Sequence, residues 1–267
     1  MDLQVEYDNR ARVPEHPEIL AGWARDAASF RATWAEAELG LAYGPGERER
    51  LDLFRPGPGP SWPVALFVHG GYWQALDRSA FSHMARGMLA HGVAVAVPSH
   101  DLCPSVPLGR IVEQIRAAAA FLYRRLGRRI LATGHSAGGH LTAMLMATDW
   151  RAMDPALPPD LVPAGLPISG IFELEPLLPT TIATALQLTP PEARALSPRF
   201  LPCPGGALHV VVGGAESAEF LRQGRDFATA WGGHFEVLAD RNHFTVLDPL
   251  TDPANPLVAC AAALARR

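Results

Sequence analysis

The sequence contains no lysine, so all 23 of its basic side chains, histidine aside, are arginines. Schiff-base catalysis, serine–lysine dyads and the Walker A phosphate loop each need a lysine amine and are therefore excluded. Cysteine is nearly as scarce, and Cys103, Cys203 and Cys260 lie far apart in the chain. Three cysteines in this arrangement predict neither a disulfide framework nor a cysteine-rich zinc site.

Long hydrophobic runs are missing as well. No stretch of about 18 apolar residues occurs, and the opening MDLQVEYDNRARVPEHPE lacks the apolar region of an export signal. A net charge of −4 offers no basic surface for nucleic acid. We therefore expect a cytoplasmic protein that binds neither membrane nor nucleic acid, while its oligomeric state is not indicated.

What the sequence does contain is an alternation of continuous apolar segments with helical patterns. Apolar segments that predict buried strands are VALFVH, VAVAVP, RILATGH, GLPIS, ALHVVVGG and HFEVLA. Helical patterns occupy residues 79–91, 108–126, 137–149, 218–231 and 255–265. This alternation predicts a single α/β domain over residues 1–267, with a mostly parallel central sheet and helices on both faces.

Two further segments are candidates for covering a site on this sheet. The first, about residues 16–43, is predicted to be helical, since Leu20, Trp23 and Phe30 recur on one face. The second, about residues 154–204, is rich in proline and is the least regular part of the chain.

The strongest chemical signal is Gly134-His135-Ser136-Ala137-Gly138, a G-x-S-x-G motif. It follows a predicted strand and precedes a predicted helix, which is the context that a nucleophilic serine requires. The small neighbours allow the strained turn to form. Ser136 is therefore the candidate nucleophile, and a serine that merely caps a helix is the alternative.

A serine nucleophile needs a histidine base, and in this topology the base comes last along the chain. His140 lies in the helix after the serine, and His209 and His234 fall inside strand patterns. His243, in ADRNHFTVL, lies in a loop after the last strand. We therefore expect His243 to be the base.

The third member of such a triad is a carboxylate that orients the base. Glu216 follows directly on the long strand ALHVVVGG. Asp226 lies inside the next helix, Asp240 lies close to the histidine, and Asp248 comes after it. Glu216 is the predicted acid, and a carboxylate that stabilises a helix N-terminus is the alternative.

The segment VHGGYW supplies the remaining part of the predicted site. Backbone N–H groups must point at the oxyanion of an acyl-transfer intermediate. Ala137 after the serine provides one of them, and Gly71 and Tyr72 in the loop after an early strand provide the others. Tyr72 and Trp73 are predicted to form an aromatic wall against substrate, or equally to pack in the core.

Together, HGGYW, GHSAGGHL and NHFTVL resemble the α/β-hydrolase superfamily, and within it the kynurenine formamidase (arylformamidase) group. HGGYW also resembles loops of bacterial esterase and lipase relatives. The resemblance implies hydrolysis of N-formyl-kynurenine to kynurenine and formate by Ser136, His243 and Glu216, without metal or cofactor. It departs from the group at Glu216, where many relatives carry Asp, and at SGIFEL, where the pattern is SGxxDL.

Several functions stay open from the sequence alone. The first is a serine hydrolase of a small carboxylic ester or amide, such as an aryl formamide, and a general carboxylesterase is its nearest alternative. An acyltransferase would use the same acyl-enzyme with an alcohol or amine acceptor. A non-catalytic ligand-binding member of the fold is the alternative from another class.

Overall fold

The central element of the computed structural model, which describes residues 2–59 and 61–267, is one eight-stranded sheet. In chain order its strands are β1 (Ala37–Ala42), β2 (Arg50–Phe54), β3 (Val64–Val68), β4 (Ala94–Pro98), β5 (Ile130–His135), β6 (Ala164–Ile168), β7 (Ala207–Gly213) and β8 (His234–Leu238). Their spatial order is β1-β2-β4-β3-β5-β6-β7-β8. The β1–β2 and β2–β4 pairs are antiparallel and the others are parallel. The predicted mostly parallel sheet is confirmed.

Helices cover both faces of this sheet, as predicted. They are α1 (Leu3–Tyr7), α2 (Asn9–Arg12), α3 (His16–Thr33), α4 (Arg86–Ala90), α5 (Leu108–Leu126), α6 (Ala137–Met146), α7 (Trp150–Met153), α8 (Ala183–Leu186), α9 (Pro190–Ala195), α10 (Ala218–Trp231) and α11 (Pro256–Leu264). Apolar residues of α5, α6 and α10 form one buried cluster, and those of α3, α4 and α11 form a second. The sheet lies between these two clusters. The strands β3, β4, β5 and β6 are completely buried because helices cover both their faces, whereas the edge strands β1 and β8 are partly exposed.

The predicted helix over residues 16–43 is correct only in its first part. α3 ends at Thr33, and Ala37–Ala42 form the edge strand β1, which pairs antiparallel with β2. The alanine- and glutamate-rich composition of this segment favours a helix locally, whereas pairing with β2 satisfies its backbone groups. Gly40 has a φ of +68° and donates its N–H to the Asp52 carboxylate, which fixes the irregular register. Tertiary pairing overrides local propensity here.

The predicted helix over residues 79–91 is also shorter than expected. Residues 78–80 and 82–85 form two 3₁₀ turns, and only Arg86–Ala90 is α-helical. The Arg31 side chain of α3 donates to the Ser79 carbonyl and to the Ser82 hydroxyl. The Ser79 carbonyl therefore bonds an arginine instead of closing an α-helical turn. By contrast, the predicted bounds of α5 and α10 agree with the structure.

The irregular segment over residues 154–204 contains β6 and the two short helices α8 and α9. In the described part of the chain, no helix has the length and the hydropathy needed to cross a lipid bilayer.

Candidate active site

Ser136 lies in a tight turn between β5 and α6, with a φ of +56° and a ψ of −117°. This is a strained conformation for a residue that carries a Cβ atom. Two features of the turn explain why it forms. The Ser136 N–H donates to the Ile168 carbonyl of β6 at 2.9 Å. A Cβ atom on Gly138 would lie 1.9 Å from the Val68 carbonyl oxygen, so only glycine lets α6 approach β3 this closely.

His243 and Glu216 form a buried pair at the same edge of the sheet. His243 Nδ1 lies 2.6 Å from Glu216 Oε2, and the side chains are 6% and 0% exposed. Because a carboxylate oxygen only accepts, the imidazole proton lies on Nδ1, which leaves the Nε2 lone pair of His243 free to accept another proton. The pair is therefore arranged as a base and its orienting acid.

The other carboxylate oxygen of Glu216 is fixed by two donors. Oε1 accepts from the Ser169 hydroxyl at 2.5 Å and from the Gly213 N–H at 2.7 Å. These bonds set the direction in which Oε2 faces His243. Ser169 follows β6 with a φ of +50°, in the SGIFEL segment, and sequence reasoning assigned it no role. Its partner is far away along the chain, so no local pattern marked it.

The alternative carboxylates have other partners. Asp226 bonds Arg222 at 3.0 Å, and Asp248 bonds Arg241 at 2.9 Å. Neither is described in contact with His243. The structure therefore brings Glu216, rather than these two residues, to the histidine.

His135, the residue before Ser136, ties the serine turn to the histidine loop. Its Nε2 lies 2.7 Å from the backbone carbonyl of His243, so this nitrogen carries the proton and donates it. Burial holds the pKa of His135 well below its usual range, and the neighbouring His243 lowers it further. The ring is therefore neutral and acts as a positioning residue between two loops, a role that the sequence did not suggest.

The loop after β3 contains three consecutive residues with positive φ: Gly71 at +113°, Tyr72 at +49° and Trp73 at +57°. A Cβ atom on Gly71 would lie 2.3 Å from the Ala75 carbonyl oxygen, so this position requires glycine. Among residues 2–59 and 61–267, no protein acceptor is described for the N–H groups of Gly71 and Tyr72 or for that of Ala137. The three predicted oxyanion donors are therefore not used by the backbone hydrogen bonds of this loop or of α6.

His69, the first residue of this loop motif, is completely buried. Its ring stacks on His100 with centroids 4.5 Å apart, and its Nδ1 lies 2.8 Å from the Gly70 carbonyl. Burial lowers the pKa of His69 to about 4. A neutral, stacked imidazole therefore supports the loop from beneath.

A cavity of about 440 Å³ opens beside Ser136, and its lining includes His243, Gly70, Gly71 and Tyr72. Part of the lining is apolar or aromatic: Leu20, Trp23, Leu76, Phe81 and Phe244. Polar and charged residues of the N-terminal segment complete it: Gln4, Tyr7, Asp8, Asn9 and Arg10. Thr181 and Ile182 contribute from the proline-rich segment. Ser136, His243 and the loop residues Gly71 and Tyr72 thus meet at one cavity, part of whose wall is apolar.

Tyr72 lines this cavity, as predicted for a substrate contact, and it also holds the N-terminal segment. Its hydroxyl donates to the Tyr7 carbonyl at 2.6 Å and accepts from Asn9 Nδ2 at 3.2 Å. Trp73 does not line the cavity. Its side chain is completely buried and meets His140 edge to face, with ring centroids 5.1 Å apart. The placement of Trp73 in the substrate wall is therefore corrected to core packing, because its ring is completely buried against His140 of α6.

The sheet order, with the serine turn after β5 and the acid and the histidine after β7 and β8, defines the α/β-hydrolase class.

Comparison with known proteins agrees with this class. The family described as BD-FAE matches residues 51–157. A kynurenine formamidase from Salmo salar is 30% identical over 233 residues, which cover 82% of this chain and 78% of that protein. A kynurenine formamidase from Danio rerio is 29% identical over 228 residues, which cover 80% of this chain and 77% of that protein. The chain therefore belongs to the kynurenine formamidase family.

Solved structures agree as well. A candidate thioesterase from Silicibacter sp. TM1040 is 37% identical, with a TM-score of 0.88 over 97% of this chain and 98% of that one. An esterase from Pyrobaculum calidifontis shares the fold with a TM-score of 0.71 at 18% identity, over 94% and 92% of the two chains.

Proposed function

We propose that this protein is a metal-independent serine hydrolase that cleaves aryl formamides such as N-formyl-kynurenine, with Ser136 as nucleophile, His243 as base and Glu216 as acid. The single observation that carries the proposal is the buried His243–Glu216 pair, whose histidine lines the same cavity as Ser136. Family membership supports the substrate class.

The reaction follows from this arrangement. His243 Nε2 takes the Ser136 proton as Oγ attacks the formyl carbonyl, and Glu216 stabilises the imidazolium. The N–H groups of Gly71, Tyr72 and Ala137 bind the oxyanion. The imidazolium then protonates the aniline nitrogen, which leaves as the aryl amine. Water activated by His243 hydrolyses the formyl-enzyme and releases formate.

The cavity wall supports an amino-acid substrate. N-formyl-kynurenine carries an aromatic ring together with an α-ammonium group and a carboxylate. Trp23, Phe81 and Phe244 offer surface for the ring, while Asp8 and Arg10 place opposite charges on another part of the wall. A simple ester needs the aromatic surface only. We therefore propose that Arg10 binds the substrate carboxylate and Asp8 the ammonium group.

Exchange of Arg10 for glutamine tests the substrate assignment. Arg10→Gln is expected to raise KM for N-formyl-kynurenine about tenfold. This corresponds to the lower end of the free energy of one charge-assisted hydrogen bond, because the Arg10 side chain is exposed to solvent. Hydrolysis of p-nitrophenyl acetate should not change. Arg12→Gln is the matched control, since Arg12 pairs with Glu6 and does not line the cavity.

The outcomes separate the candidate functions. If the wild-type protein hydrolyses p-nitrophenyl esters and leaves N-formyl-kynurenine intact, the general carboxylesterase is the function. Product analysis with an added alcohol or amine acceptor identifies an acyltransferase by the transferred acyl group. Absence of turnover on every substrate would favour a binding protein.

We also propose that the segments over residues 16–43 and 154–204 cover the active site of a single domain, and that residues 4–10, here called the N-terminal segment, complete this cover. Gln4 Oε1 accepts the Thr181 N–H at 2.8 Å, which joins the two segments above the cavity. Tyr7 donates its hydroxyl to Glu219 at 3.0 Å, and Glu6 accepts the Glu219 N–H at 3.0 Å. These bonds support a cover that is anchored to α10.

Tyr72→Phe tests this cover. The variant keeps the ring and the backbone N–H but loses two hydrogen bonds to residues 7 and 9, which contribute about 1 kcal/mol each. We expect trypsin to cut faster at Arg10 and Arg12, and KM for N-formyl-kynurenine to rise severalfold with little change in kcat. Tyr123→Phe, a change at a half-buried ring on α5, is the control. Equal cutting of both variants would show that the hydroxyl does not hold the segment.

A further inference from the structure

A cluster of metal-ligating side chains lies on the edge of the sheet away from the active site. It comprises His209 on β7 with His234 and Glu236 on β8, and their ligand atoms lie within 4.8 Å of one another. The sequence predicted only structural roles for the two histidines, because both fall inside strand patterns. The structure joins them through strand pairing.

The register of the edge strands explains why the three side chains share one face. His209 and His234 are direct partners in the parallel β7–β8 ladder, and Glu236 follows His234 by two residues. Side chains two residues apart on a strand point to the same side of the sheet. Val211, two residues after His209, belongs to the cluster on the α11 side, so all three face α11.

The fourth member of the cluster comes from α11. Cys260 Sγ lies 3.1 Å from His209 Nδ1, while Glu236 Oε2 lies 2.6 Å from Nε2 of the same ring. The two nitrogens of one imidazole point in opposite directions. A cation bound at Nε2 of His209 therefore lies on the opposite side of the ring from the Cys260 thiol, which contacts Nδ1. Cys260 Sγ then accepts a hydrogen bond from the protonated Nδ1, which fixes the tautomer. Metal-binding histidines almost always donate their second nitrogen in this way.

From these contacts we propose that His209, His234 and Glu236 form a binding site for a divalent transition-metal ion, with Zn²⁺ as the matching ion. Two imidazoles and one carboxylate are a common zinc ligand set, with a fourth position left to water. On binding, the single proton of the neutral His209 ring moves from Nε2 to Nδ1, where it is donated to Cys260 Sγ as a hydrogen bond, so the ring stays neutral. The ion replaces the proton between Nε2 and Oε2.

The site is open enough for this rearrangement. Zinc ligands at about 2.0–2.2 Å from the ion lie about 3.3 Å from one another in a tetrahedron. His209 and Glu236 must therefore move apart by less than an ångström, and His234 must move closer. His234 is exposed and Glu236 is only half-buried, so both side chains have room to turn. A bound ion would link the edge strand β8 to β7 and, through Cys260, to α11.

The test is Zn²⁺ binding to the tag-free full chain by equilibrium dialysis, together with the change in Tm on adding ZnCl₂. We expect one equivalent of Zn²⁺ and a raised Tm for the wild type, since an ion that binds only the folded state stabilises it. His234→Ala should weaken binding at least about tenfold and remove the Tm shift. The His234→Ala variant should fold normally without zinc, because the His234 side chain is exposed.

Controls separate this site from other histidines. His91→Ala, a change outside the cluster, should bind Zn²⁺ as the wild type does, and His243→Ala should retain the same equivalent. Esterase activity of His234→Ala should equal that of the wild type. The proposal is overturned if the wild type binds no Zn²⁺, if His234→Ala and Glu236→Gln bind it unchanged, or if His243→Ala alone loses it.

Discussion

Ser136→Ala is expected to reduce kcat on an activated ester such as p-nitrophenyl acetate by about 10⁵-fold or more. Without its nucleophile, a serine triad retains only substrate binding and oxyanion stabilisation. Losses of kcat of this size are typical when the nucleophile of such a triad is removed. The strained turn at Ser136 is fixed by backbone contacts to β3 and β6, so the variant should fold as the wild type does.

Mass spectrometry after treatment with an organophosphonate directly measures nucleophilic attack by the Ser136 hydroxyl. The wild type should gain one adduct on Ser136, and Ser136→Ala should gain none. Ser105→Ala, a change at an exposed serine, is the control and should label normally. An alanine variant that keeps most of its esterase activity would remove Ser136 from the mechanism. A wild type that neither labels nor turns over ester would indicate a binding protein instead.

Glu216→Gln is the second substitution with a large expected effect, a loss of about 10³- to 10⁴-fold in kcat. The reason lies in the donors that surround the carboxylate. Ser169 and Gly213 both donate to Oε1, so the carbonyl oxygen of a glutamine must occupy that place. Its amide nitrogen then faces His243 Nδ1. The imidazole proton is forced onto Nε2, and the base cannot accept the Ser136 proton.

The matched variant Glu216→Asp keeps the charge but is one methylene shorter. It should retain more activity than Glu216→Gln, because the correct tautomer survives with a longer hydrogen bond. Glu175→Gln, a change at a salt-bridged glutamate outside the cavity, serves as the control. If Glu216→Gln stays within about tenfold of the wild type, the predicted acid is wrong, since removing such a group costs far more. Asp240 would be the next residue to test.

The site was predictable from the sequence where its signals are local. Ser136 and the loop at Gly71 follow directly on apolar strands, so motif and context coincide within a few residues. His243 and Glu216 were chosen by their order after the last strands, and the structure pairs them at 2.6 Å. The donors that fix them were missed. Ser169 and His135 act on residues 47 and 108 positions away, and no periodicity reports such a contact.

Part of the fold was missed for a similar reason. Residues 37–42 have helix-forming composition, yet β2 captures them as a strand. Trp73 offered two interpretations, and its complete burial against His140 decides between them. Residues 4–10 gave no signal as a cavity wall, because Tyr72, which bonds residues 7 and 9 and so holds them at the cavity, lies more than sixty residues away.

The anchoring of the N-terminal segment has a consequence for how the protein is made. Gln4 and Glu6 precede their partners Thr181 and Glu219 by 177 and 213 residues along the chain. Contacts between such distant residues carry a large loop-closure entropy and form slowly. The wall of the cavity is therefore assembled late in folding, after most of the sheet that it covers.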